Sequence, residues 1–259
     1  MRAVMWSLPA VALLLAQSVA AQSEPHRAEY VLRLGAAANA PRVGTAVQDL
    51  ALDCNGWRLK RDFKGEVALS SSLKFSVAST LDSDEHRSGE GLRFRTVQVQ
   101  NGAEREMRGK VQRSDGELRA EIASPDGPAQ IALPPFTLMP VASINYIIGQ
   151  LRSGSPSFPA LTFDAQGTGD TFRIDVSRIE DKAIRRRPPA DKPIAVPGRS
   201  WPVQMSFTPR AREPQKPLFA FSARLFEAGV LDHVTVDAEM VTVTADLQAL
   251  EMRPAPVCR

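Results

Sequence analysis

Three histidines and two cysteines in 259 residues leave little from which to build a metal centre. A zinc site gathers three or four His, Cys or carboxylate ligands in one place. Here His26, His86 and His233 are scattered, and Cys54 and Cys258 lie 204 positions apart. The sequence also lacks a phosphate-cradling P-loop, a G-x-G-x-x-G opening a helix, an H-E-x-x-H zinc helix and a G-x-S-x-G nucleophile elbow. No catalytic residue, metal or cofactor is therefore expected, and the chain reads as a non-enzyme. Charge of one sign is missing too: 32 basic and 29 acidic residues leave +3, and the basic residues form no single stripe. That argues against a nucleic-acid binder, whose affinity comes from clustered cations. No apolar run reaches the roughly 20 residues that a membrane-spanning helix needs.

What is present begins with an address. Met1-Arg2 supplies a positive charge, Val11–Ala16 a short apolar core, and Ser18-Val-Ala20 or Val19-Ala-Ala21 a small-x-small cleavage site. This is the form of a Sec-type signal peptide over residues 1–21. The remainder, 22–259, is expected to be one exported domain that does not span the membrane, periplasmic if the cell is Gram-negative. Export gives the cysteines a meaning, because an isolated pair in an oxidising compartment reads as a disulfide. Cys54 follows Leu50 and Leu52 on the apolar parity of a strand and is expected to point inward. Two free thiols are the alternative.

The body of the chain alternates with period two. Tyr30, Leu32 and Leu34 share a face; so do Trp57, Leu59 and Phe63, with Arg58, Lys60 and Asp62 opposite. Leu118, Ala120 and Ile122 alternate with Glu117, Arg119 and Glu121, and Trp201, Val203, Met205 and Phe207 form a later stripe. One wet and one dry face per strand belongs to antiparallel sheet. Asn101-Gly102 and Asp115-Gly116 read as hairpin turns. The apolar set changes parity within Leu92–Gln100 and within Val230–Leu247, which calls for a bulge or a turn in each. One segment has helical spacing: Ile144, Ile147, Ile148 and Leu151, with Ser143 as the expected cap, Gly154 as the stop, and Pro134-Pro135 and Pro140 as a rigid lead-in. Its single apolar face is expected to pack in the concavity of a curved sheet. Ile184–Ser200, rich in Pro and Arg, reads as an exposed loop.

Residues that could carry chemistry each have a plainer reading. Asp82, Asp84, Glu85 and Glu90 cluster with His86 but lack calcium-loop spacing, so a solvated loop is expected. His86 or His233 could enter a Ser-His-Asp triad only on paper, and His26 sits near the leader. Arg185-Arg-Arg187 could meet phosphate, though a loop kept soluble by charge explains it equally. Trp57 and Trp201 could form a ligand platform, but their apolar phase partners assign them to the core.

Several features occur together in order: Ala28-Glu-Tyr30, Asp53-Cys-Asn-Gly-Trp57, Leu133-Pro134, Phe163-Asp164, Trp201-Pro-Val203, Glu227-Ala-Gly-Val230 and the terminal Cys258. The chain thereby resembles the alphaproteobacterial EipB family of cell-envelope integrity proteins, whose biochemical activity is unknown. The resemblance implies a mainly β fold, a strongly curved antiparallel sheet of about fourteen strands forming a spiral-like, incompletely closed β-barrel with one short helix. It also implies a disulfide that maps onto Cys54 and Cys258, a role in envelope integrity, and a periplasmic protein partner, a tetratricopeptide-repeat protein among the kinds implied. Binding residues are not indicated. A lipid or lipoprotein carrier using the barrel interior is the alternative function.

The cysteine reading has a direct test. Intact mass after thiol alkylation without reductant should be unshifted, and two alkylated cysteines would contradict it. In the chain-entropy description a loop of this length is worth roughly 5 kcal/mol, so reduction should lower the melting temperature.

Overall fold

The computed structural model describes residues 23–68, 74–167, 169–186, 193–210, 216–238 and 241–258; the leader reading lies outside them. The first meander runs β1 (His26–Leu34), β2 (Arg42–Leu52), β3 (Gly56–Ala68), β4 (Lys74–His86), β5 (Gly91–Gln100), β6 (Ala103–Ser114), β7 (Glu117–Ser124) and β8 (Gly127–Leu133). Helix α1 (Pro140–Arg152) follows. A second meander runs β9 (Ser157–Phe163), β10 (Thr171–Arg178), β11 (Ser200–Pro209), β12 (Phe219–Phe226), β13 (Leu231–Ala238) and β14 (Val241–Met252), with a 3₁₀ turn at Asp181–Ala183. All fourteen strands join one antiparallel sheet in the order β8-β7-β6-β5-β4-β3-β2-β1-β14-β13-β12-β11-β10-β9. The two meanders meet where β1 pairs with β14. β8 and β9 are the outer strands and do not pair with each other, so the curved sheet is not closed.

The pairing is irregular at three places, two of them on β1. The register slips between Glu29 and Tyr30 against β14, between Leu32 and Arg33 against β2, and between Ser222 and Arg224 against β13, where His233 adopts a φ of 53°. Each extra residue bends its strand and increases its twist. The bulge expected within Leu92–Gln100 is absent: β5 keeps register with both neighbours throughout. Its inner face simply becomes polar, Leu92 and Phe94 giving way to Thr96 and Gln98, which bond to another part of the chain. The parity change in Val230–Leu247 separates β13 from β14.

Helix α1 lies between the two walls of the sheet. Val141 packs with Leu50, Trp57, Leu92 and Phe94, whereas Ile147, Ile148 and Leu151 pack with Ile174, Trp201, Val203 and Leu225. Trp57 and Trp201 are both buried, as core residues. The helix begins earlier than its apolar spacing suggests. Pro140 is its first residue, where a missing N–H costs nothing, rather than part of the lead-in. Ser143, the expected cap, sits inside the first turn and donates to the Pro140 carbonyl. Gly154 ends the helix at a φ of 88°, its N–H on the Leu151 carbonyl.

The second meander also sends a plug into the first. Thr96 donates to the Ala165 carbonyl at 2.7 Å, Gln98 to the Gln166 carbonyl at 2.7 Å, and Gln166 reaches the Ser79 hydroxyl. Phe163 meets Phe94 edge to face at 5.4 Å. Gly109, opposite Phe94 in the ladder, has no Cβ and leaves room for that ring over the β6 backbone.

Ile148 is fully enclosed, and truncating such a residue to Ala typically costs about 2–5 kcal/mol. Ile148→Asp should cost more, because it adds an unpaired charge. Its melting temperature should fall well below that of Ile148→Ala; a melt equal to wild type would show that the helix is not part of the core.

Candidate functional site: the helix mouth and the outer groove

The acidic stretch read as a solvated loop is mostly strand. Asp82 through His86 complete β4, and only the turn after them is loop. Strand alternation then divides the cluster. Asp82 and Asp84 face out and pair across the sheet with Lys60 and Arg58, both at 3.0 Å, while Glu85 faces in and is 4% exposed. Its two carboxylate oxygens accept the Val141 N–H at 2.7 Å and the Ala142 N–H at 2.8 Å. Glu85 is therefore the cap that α1 does not supply for itself, placed at the positive end of the helix dipole. Burial outweighs these two donors and pushes its pKa up to about 7. No local signal could have shown this, since the helix lies 56 residues downstream in sequence.

A second polar thread runs along the inner face. His26 is wholly buried on β1, not loose near the leader. Its Nδ1 lies 2.7 Å from the Glu24 carbonyl and its Nε2 lies 3.2 Å from the Gln48 amide, which fits a neutral ring donating through Nδ1 and accepting at Nε2. Burial holds its pKa below the ordinary histidine value. Gln48 accepts in turn from Arg61 Nε at 3.1 Å. Arg61 shares the inward parity of Trp57 and Leu59, a position where alternation alone calls for an apolar residue. Its charge lies near Tyr30 and Asp164.

The remaining candidates are dispersed. His86, the last residue of β4, contacts the Ser88 hydroxyl at 2.7 Å and Ser88 contacts Glu90 at 3.1 Å, all three exposed. His233 lies 3.6 Å from Asp232, on a different strand. Among the described residues no group of three or more His, Cys, Asp or Glu is arranged to hold a metal ion. Arg185 is no free loop cation: it pairs with the buried Asp246 of β14, and Ile184 beside it is buried, so this part of the Pro- and Arg-rich segment packs down. Arg187 lies outside the described residues.

Cys54 and Cys258 are joined in the structure, with Cα atoms 5.5 Å apart. Cys54 does not point inward. β2 ends at Leu52, and the Asp53 carboxylate accepts the N–H groups of Asn55 and Gly56, so the strand parity stops before Cys54 and leaves it exposed on the turn. Arg253 binds Asp49 at 2.6 Å and donates its N–H to the Pro25 carbonyl, holding the tail along β1 and β2 on its way there.

On the outer face, a groove of about 900 Å³ extends across β5–β8. Ala123 and Pro128 are its outward apolar residues, and Arg93, Arg95, Arg108 and Lys110 line it against a single carboxylate, Glu121. Lys110 pairs with Glu121 and Arg95 with Glu106.

The EipB-like family model matches residues 17–254. A crystal structure of a β-barrel-like protein with a domain of unknown function, DUF1849, from Brucella abortus superposes with a TM-score of 0.75. It is 19% identical, and the match covers 90% of this chain and 99% of that one. This likeness shows the fold. No curated protein matches.

The buried carboxylate carries a pH signature. A folded-state pKa of about 7, above the ordinary 4.5, means that the folded protein holds a proton the unfolded chain has released between these values. Glu85 therefore disfavours folding progressively as pH rises from about 4.5 to 7, by up to ~3 kcal/mol. Glu85→Gln should remove that slope from urea-unfolding free energies measured across this range. An unchanged slope would place the titration elsewhere.

Proposed function

The chain belongs to the EipB-like family, and on that footing we propose that it is a non-enzymatic periplasmic protein that supports cell-envelope integrity by binding a partner protein. One observation carries the choice of partner over cargo: the chain fills much of its own interior. Helix α1 occupies the space between the walls, and the β9–β10 turn is bonded to β4 and β5. A lipid or lipoprotein carrier would need that space for an acyl chain. The outer face, by contrast, has an open groove and an unpaired strand edge. The leader-like first 21 residues and the joined cysteines support export. The family resemblance adds a tetratricopeptide-repeat protein as the kind of partner.

Deleting the coding sequence should sensitise cells to detergent and other envelope stress. The full chain should restore survival, and a chain lacking residues 1–21 should not. Equal survival with and without the protein would overturn the envelope role. Native mass spectrometry of protein isolated from the periplasm separates the two functions: a stoichiometric lipid adduct would favour the carrier reading, whereas apo mass together with recovery of one protein by crosslinking supports the partner reading.

A further inference from the structure

The two outer strands of the sheet are treated differently by the chain, and their prolines show how. In an antiparallel ladder, backbone N–H and C=O groups point alternately toward one neighbour and the other. Proline has no N–H, so it must occupy a position that points away from the paired strand. Pro159 on β9 marks one such position, with Leu161 and Phe163 on the same parity. These are satisfied: Leu138 donates to the Leu161 carbonyl at 2.8 Å and accepts from the Phe163 N–H at 2.9 Å. Pro128 on β8 marks the other edge, with Gln130 and Ala132 on its parity. Among the described residues no other strand pairs with β8 beyond β7.

This edge also lacks the usual protection. Outer strands are normally guarded by charge, and Lys is the commonest guard. β8 reads Gly-Pro-Ala-Gln-Ile-Ala-Leu, with no charge at all, and Pro128, Gln130 and Ala132 are exposed. The charge lies further in. One row of the ladder places Arg95, Arg108, Ala123 and Pro128 side by side, and the next holds Arg93, Lys110, Glu121 and Gln130. In the first row, two small side chains separate the edge from Arg108. Among the described ion pairs neither Arg93 nor Arg108 takes part; Asp84 stands opposite Arg93 in the ladder and Arg108 acts on Glu106, and the groove lining itself carries four cations against one carboxylate. Phe136, 85% exposed, stands just past the end of β8.

We propose that the β8 edge and this groove form a docking site for an extended acidic segment of a partner protein, taken up as a fifteenth strand. Its backbone would pair with the free groups of Gln130 and Ala132, and its carboxylates would lie toward Arg108 and Arg93. The assignment rests on the partner-binding reading and specifies where and by what chemistry the partner is held.

The test uses the full exported chain and a labelled ten-residue peptide alternating Glu with Val and Thr; the same peptide with Lys for Glu is the control. The acidic peptide should bind, weakening about tenfold when NaCl rises from about 0.05 to about 0.5 M. The double variant Arg93→Glu/Arg108→Glu should lose about tenfold in affinity. So should Gln130→Pro, which removes one edge N–H without touching the β7 ladder. Circular dichroism and melting temperature verify that each variant is folded. Absence of binding, equal binding of the lysine peptide, or undiminished affinity in both folded variants would overturn the site. So would a dimer in sedimentation that Gln130→Pro abolishes, because the occupant would then be a second copy. Crosslinking in cells keeps the two ideas apart. A partner recovered equally by wild type and both variants refutes this site but not the partner reading; no partner recovered by wild type refutes the partner reading.

Discussion

Nine residues of β1 pair with β14, from His26 opposite Met252 to Leu34 opposite Val243, and this ladder joins everything that precedes α1 to everything that follows it. The two meanders run in opposite directions away from this seam, and each could in principle form from local hairpins alone. What makes them one body is the union of the chain's first strand with its last. The supporting features gather here: two of the three register slips involve β1, the Arg253–Asp49 pair lies across its neighbours, and the bonded cysteines tie the tail to the turn after β2. The seam is fastened by side chains and a covalent bond as well as by backbone pairing.

The interior is organised around a mismatch between sheet and helix. Seen from β4, an inward carboxylate is an error in an apolar face. Seen from α1, two N–H groups at the start of a helix led by Pro140 need an acceptor and find none nearby in sequence. Glu85 resolves both at once, fixing the helix axis relative to the first wall while Ile147, Ile148 and Leu151 set it against the second. Thr96 and Gln98 do the same for the β9–β10 turn. In each case a polar residue on the dry face marks the place where a distant part of the chain inserts.

This explains which parts of the fold were legible in the sequence. Alternation in Trp57–Leu59, Leu118–Ile122 and Trp201–Met205 reports directly on faces, because each of the inward residues there is buried. The i, i+3, i+4, i+7 spacing around Ile148 likewise reports a helix with one buried side. Where the inner face turns polar, the pattern fails in a consistent way. Thr96 and Gln98 looked like a parity change, and Glu85 looked like part of a solvated cluster, since the partners that justify them lie 56 to 69 residues away in sequence. Cys54 was misplaced for a local reason: the Asp53 side chain ends the strand two residues early. The docking groove had no sequence signature, because its cations come from separate strands and only the ladder register sets them in rows.

The β1–β14 union also fixes an order of events. A chain that emerges N-terminus first can zip β1 through β8 as successive hairpins while the rest is still unmade. β1, however, keeps a bare flank until residues 241–252 arrive. Until then the molecule is a half-sheet with two unpaired borders, one at β8 and a temporary one at β1. Contacts this distant in sequence form slowly, and a waiting border invites mispairing with neighbouring chains. Loss of residues 241–252 would thus leave the seam open and expose β1 as a template for mispairing.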